Sequence, residues 1–121
     1  KPVVISSWSE ILQKDGAYGI KLINGRFTGY RWGGPENHLS TTVLSSGSWY
    51  HVVMTFNGSI HSTYVNGQIQ ASESDIGSIP VSNSQITIGQ PEYFNGLIDE
   101  LRIYNRALSD TEVSQLYNLV P

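Results

Sequence analysis

Three of the four Asn-Gly pairs constrain this chain more than any other feature: Asn24-Gly25, Asn57-Gly58 and Asn66-Gly67. Each stands between two short runs that alternate apolar and polar residues. Asn and Gly tolerate the positive φ of a tight hairpin turn, so this pattern is the strongest short-range hairpin signal in a sequence. Turns this closely spaced leave no room for crossover helices. The strands they join are therefore antiparallel, in a meander.

The flanking runs give the strands. Residues 11–14 stop at Asp15-Gly16, and Tyr18, Ile20 and Leu22 alternate up to the first Asn-Gly. Residues 26–32 return, and the Gly33-Gly34-Pro35-Glu36-Asn37 stretch reads as a loop. Residues 39–44 are expected to form another strand. Residues 49–56 carry apolar residues on both faces, as a covered central strand does. On that pattern Trp49 and His51, which share a face with Val53, are expected to pack. Runs 60–65, 68–73 and 85–88 follow, with loops at 76–83 and 89–95. Residues 96–104 read as a last strand, with Leu97, Asp99, Leu101 and Ile103 on one face. After it, Ser109-Asp110-Thr111-Glu112 is a capping box, and Val113, Leu116 and Tyr117 fall on one side of a short helix. Leu108 is placed to staple onto Val113.

The 121 residues suffice for one domain, spanning 1–121, and not for two. No apolar run approaches the roughly 20 residues that cross a bilayer. Seven Lys and Arg scattered along a chain of net charge −3 make no basic patch, which argues against nucleic acid. There is no Cys, so disulfides and thiolate metal sites are excluded.

Two separated motifs carry a resemblance. The run from Gly96 to Ser109, Gly-Leu-Ile-Asp-Glu-Leu-Arg-Ile-Tyr-Asn-Arg-Ala-Leu-Ser, resembles the closing motif of laminin-G-like jelly-roll domains in the concanavalin A-like lectin and glucanase group. Ser48-Trp49-Tyr50-His51-Val52-Val53 followed by Tyr64-Val65-Asn66-Gly67 is similar to the middle motif of that family. The resemblance implies an all-β antiparallel sandwich, a jelly roll, with a short C-terminal helix. It also implies that Lys1-Pro2 corresponds to a point after the family's first strands, so those strands are expected to be lacking here. An edge left open in that way invites a homodimer or strand exchange.

The same resemblance points to calcium. In the family the Asp matching Asp99 often joins a calcium site with groups from the N-terminal strands. Calcium takes six to eight oxygens, so Asp99 would supply only part of a shell. The other reading makes Asp99 structural, bonded to Arg102, an amide or a Tyr hydroxyl.

Binding candidates lie in the loops. Tyr30, Arg31, Trp32, Asn37 and His38 cluster at one strand end, with Glu36 among them, and Glu92, Tyr93 and Phe94 sit in another loop. Sugar rings present C–H faces that stack on aromatic rings and hydroxyls that pair with polar side chains, and such a mixture suits a glycan. Core packing is the competing reading for Trp32 and Tyr30, and the favoured one for Phe94. Trp8 could equally be packing surface. Glycan hydrolysis would need two carboxylates flanking the scissile bond. The Glu-x-Asp-x-x-Glu string typical of such sandwiches is missing, and the neighbours Asp99 and Glu100 would point to opposite faces of a strand. The sequence therefore reads as a non-catalytic carbohydrate-binding module of a larger secreted or surface protein, with a polysaccharide or other glycan as ligand. A protein-interaction or adhesion module of the same fold is the alternative.

Overall fold

The computed structural model describes residues 1–3, 7–36 and 38–119. Strands β1 (Trp8–Lys14), β2 (Tyr18–Ile23), β3 (Arg26–Arg31) and β7 (Ile86–Ile88) form an antiparallel sheet in the order β3-β2-β1-β7. Strands β4 (Val52–Phe56), β5 (Ile60–Val65) and β6 (Gln68–Ser74) form a second, in the order β4-β5-β6. The two sheets face each other, with β3 lying against β4 and β5. Helix α1 (Asp110–Leu119) covers the outside of the second sheet. This is the expected all-β antiparallel sandwich with its C-terminal helix.

The Asn-Gly turns do what their chemistry allows. Asn24 and Gly25 have φ of 49° and 78°, and Asn66 and Gly67 have 50° and 77°. Both pairs are two-residue turns with positive φ throughout, matched to the twist of the strands they join. The third is longer. Residues 57–59 connect β4 to β5, and Asn57 Oδ1 accepts from the amides of Ser59 and Ile60.

Between the sheets lies an apolar core of Ile11, Leu22, Phe27, Leu44 and Val65, joined by Ile20, Val52, Met54 and Phe94. Phe94 thus packs, as expected. A smaller core lies under the helix, where Leu108 and Val113 meet Tyr64. The capping box forms as written in the sequence: Ser109 Oγ accepts from the Glu112 amide, and Glu112 Oε1 accepts from the Ser109 amide.

Three expectations need correction. Residues 39–44 make no strand; they run irregularly along β3, held by Ser40 N to Phe27 O and Leu44 N to Gly25 O, each 2.8 Å. Between those two bonds Thr42 reaches across to β6, where it and Gln70 bond each other through two hydrogen bonds, and Val43 then bridges Arg26 of β3. A segment that divides its bonds between two sheets keeps no continuous ladder with either.

Residues 96–104 also form no continuous strand. Pro2 bridges Gly96, and beyond that no ladder forms among the described residues. Glu100 has a φ of 53°, and its amide donates to Asp99 Oδ1. A left-handed residue in mid-run ends the period of two. Leu97, Leu101 and Ile103 stay exposed and line one wall of an open cleft of about 1380 Å³, with β4 on the other side. Trp49, expected to pack, precedes β4 and is 54% exposed beside this cleft. His51 is half-buried, and burial pushes its imidazole pKa down.

Candidate functional site: a polar outer sheet face

Strand register builds a polar patch on the outside of the four-stranded sheet. Glu10 pairs with Lys21 on β2, and Lys21 pairs with Thr28 on β3. These residues share the face turned away from the core, as do Trp8 and Tyr30. A bulge at Ile11 changes the phase of β1 between Glu10 and Leu12. Strict alternation would put Leu12 on the face of Glu10. Ile11 keeps the core side that alternation gives it, and the bulge turns Leu12 away from the outer face and brings Gln13 round to it.

The patch is tightly bonded. The Tyr30 hydroxyl donates to Glu10 Oε1 at 2.5 Å and accepts from Gln13 Nε2 at 2.9 Å. Lys21 Nζ lies 3.9 Å from the centre of the Trp8 ring and 4.5 Å from that of Tyr30, within cation–π range of both. The same ammonium pairs with Glu36 Oε2 at 3.3 Å. Glu10, Lys21 and Tyr30 are all buried. Burial raises the Glu10 carboxyl pKa, against the hydrogen bond from Tyr30 and the charge of Lys21. Burial, and then the bond to Glu10, pushes the Tyr30 hydroxyl well above the usual phenol range.

Two members remain open to solvent, Trp8 at 40% and the Glu36 side chain at 60%. A flat apolar ring beside a carboxylate, on a rigid polar floor, can stack a ligand and bond its hydroxyls. The Tyr30 hydroxyl already occupies Glu10 Oε1, and Lys21 already pairs Glu36 Oε2.

The residues expected in the loops scatter. Tyr30 forms the floor of the patch rather than its surface. Arg31 is buried on the core side, where Nε and Nη2 donate to Asp75 Oδ1 at 2.9 and 2.6 Å. His38 is fully buried with its ring centre 3.8 Å from that of His61. Asn37 lies outside the described residues. Trp32 is exposed just beyond β3, at one edge of the sheet. Glu92 and Tyr93 run beside β1 on the β7 side: the Glu10 amide donates to Glu92 O, and Tyr93 bridges Glu10. Their exposed side chains and Trp32 therefore sit on opposite flanks. Glu10 and Lys21 join this patch without having been expected there, and Trp8 had packing surface as an equal reading. The signal for Glu10 and Lys21 was charge at strand positions spaced to meet across a hairpin.

Asp99 is exposed in the segment before the helix, and its Oδ1 accepts from the next amide at 2.8 Å. The adjacent Glu100 is paired with Arg102. Among the described residues Asp99 joins no cluster of three His or carboxylate groups. Asp99 on its own can supply only part of the six to eight oxygens of a calcium shell.

Comparison with known proteins agrees with this architecture. A laminin-G-like family model, described as the concanavalin A-like lectin/glucanases superfamily, matches residues 1–114. The curated proteins hold no significant sequence match. Among solved structures, an S-layer domain-containing protein (residues 221–444) from Clostridium thermocellum ATCC 27405 superposes with a TM-score of 0.58 at 21% identity. The match covers 94% of this chain and 65% of that one, so this chain spans less than two thirds of its neighbour. With its two sheets, closing helix and a match over nearly its whole length, the chain belongs to the laminin-G-like family of the concanavalin A-like lectin/glucanases superfamily.

Proposed function

We propose that this domain is a non-catalytic carbohydrate-binding module of a larger secreted or surface protein, and that the glycan lies on the outer face of the β3-β2-β1-β7 sheet. The observation that carries the reading is Trp8. Its ring stays 40% exposed while a buried ammonium at 3.9 Å fixes its position. A prepositioned aromatic ring loses little freedom when a sugar stacks on it. Glu36 stands beside it as a hydroxyl acceptor, already oriented by Lys21. The surface location rests on the superfamily and on the S-layer domain named in the structural neighbour.

Affinity electrophoresis in gels containing a panel of polysaccharides tests this. At least one polysaccharide should retard the domain, and Trp8→Ala should weaken that retention about tenfold, equivalent to roughly 1.4 kcal/mol. Retardation that survives both Trp8→Ala and Glu36→Gln would move the ligand off this face.

One observation favours the alternative of a protein-interaction or adhesion module. The cleft beside residues 97–104 exposes Leu97, Leu101 and Ile103 together. Apolar patches of this kind mark protein contacts, including a homodimer by strand exchange along this segment. Light scattering separates them: a concentration-dependent dimer abolished by Leu101→Lys supports the contact, and a monomer at all concentrations removes the homodimer.

A further inference from the structure

A second polar cluster lies inside the sandwich, away from the outer face and independent of the glycan reading. His61 on β5 points between the sheets, opposite Phe56 on β4. His38 comes from the connection after β3, with its carbonyl held by Thr63 Oγ1 at 2.7 Å. Asp75 follows the end of β6. All three are buried, and the two imidazoles are fully so. Each offers one ligating atom, and these atoms lie within 4.8 Å of one another.

Both nitrogens of His38, both of His61 and Asp75 Oδ2 have no hydrogen-bond partner among the described residues. Polar atoms buried in this way are normally satisfied, because each one left bare is destabilising. The geometry shows where they aim. His61 Nδ1 is 3.8 Å from Asp75 Oδ2, and His38 Nδ1 is 3.5 Å from Glu73 Oε2. Glu73 is the cross-strand partner of His61, and its side chain is 56% exposed. Arg31 binds Asp75 through Oδ1 alone, which fixes the carboxylate and leaves Oδ2 turned toward the imidazoles. A carboxylate oriented from behind by a donor is the usual outer support of a ligand group.

We propose that His38, His61 and Asp75 bind a divalent transition-metal ion of the zinc type, with Glu73 closing the shell from the solvent side. Two imidazole nitrogens and two carboxylate oxygens form a borderline donor set that suits zinc, cobalt or nickel. Calcium is disfavoured here because it asks for six to eight oxygens. Ligand bonds near 2.0–2.1 Å in a tetrahedron put donors about 3.3 Å apart, so the side chains close in by roughly 1 Å or less each. Such an ion would clasp three chain segments: the connection carrying His38, β5, and the loop after β6. The surrounding burial gives it a structural role.

The test uses the whole domain, stripped of metal with a chelator. Titration calorimetry with zinc should show one equivalent bound, and a hundredfold excess over Kd should raise Tm by roughly 10 °C. Magnesium and calcium should not produce that shift. Cobalt should give the intense visible absorption of tetrahedral coordination. His38→Gln and Glu73→Gln should each weaken zinc at least tenfold while retaining the folded circular dichroism spectrum, and His51→Gln, remote from the cluster, should bind as the wild type does. Asp75→Asn serves only if it folds, since it also disturbs Arg31. No zinc shift beyond that of magnesium, or an undiminished shift in folded His38→Gln, would overturn the site.

Discussion

Arg31→Ala is the most informative single perturbation of this fold. The guanidinium donates twice to Asp75 Oδ1, at 2.9 and 2.6 Å, and also to the carbonyls of Ile76 and Ser78 at 3.1 and 3.4 Å. It lies 5.4 Å from the Phe56 ring centre. Gly34 and Gly77 close around it; a Cβ on either would come within 2.8 or 2.5 Å of its atoms. The Asp75 side chain is 1% exposed. Removing the guanidinium therefore strands a buried carboxylate, at a cost of about 3–5 kcal/mol. For a domain of this size that is a fall in Tm of roughly 12–20 °C. The assay is urea denaturation followed by Trp fluorescence, in chelator so that no metal contributes. Arg31→Met combined with Asp75→Leu removes both charges and should restore most of the loss. A single-variant cost below about 1 kcal/mol, or a double variant as unstable as Arg31→Ala, would refute the reasoning, because either means that water or another group already satisfies Asp75.

Other positions give independent checks. Val113 is fully buried beneath the helix, so Val113→Ala should cost about 2 kcal/mol, read from the urea midpoint. A Cβ on Gly29 would come within 2.2 Å of Met54 Cγ, so Gly29→Ala should destabilise by about 1–3 kcal/mol, and Met54→Ala in the same chain should relieve part of that loss. The Glu112 carboxyl is held down to about 2, first by Arg106 and then by the Ser109 amide, from an ordinary value of 4.5. A depressed carboxyl stabilises the fold above its unfolded pKa, and that contribution fades as pH falls from about 4.5 toward 2. Carbon-detected NMR titration of Glu112 should show the low midpoint, and Arg106→Ala should bring it back toward 4.5.

The turns and the helix cap were legible because their chemistry is local. Asn24-Gly25 needs only its own two φ values, and Ser109 and Glu112 need only each other. Alternation likewise located most of the strands. Residues 39–44 and 96–104 alternate just as well, yet neither becomes a strand. Pairing decides that, and a partner is a long-range fact. Residues 39–44 divide their bonds between β3 and β6, and Glu100 turns left-handed inside the other run. The polar face was hidden for a similar reason. Glu10, Lys21 and Tyr30 meet only through the β1-β2-β3 register, and the bulge at Ile11 shifts which residues of β1 reach it. Arg31 and His38 looked like loop ligands because residue type suggests polarity, whereas their burial comes from the opposing sheet. The same packing that removes them from the surface gathers His38, His61 and Asp75 inside.

The central claim, a glycan held on the outer sheet face, is tested most directly by NMR. An oligosaccharide derived from whichever polysaccharide retards the domain is titrated into isotope-labelled protein. The account predicts that the Trp8 indole N–H and the amides around Lys21 and Glu36 shift together with one affinity, while Leu97 to Tyr104 stay still. Shifts confined to the cleft at Leu97 to Tyr104, with Trp8 unmoved, would contradict it.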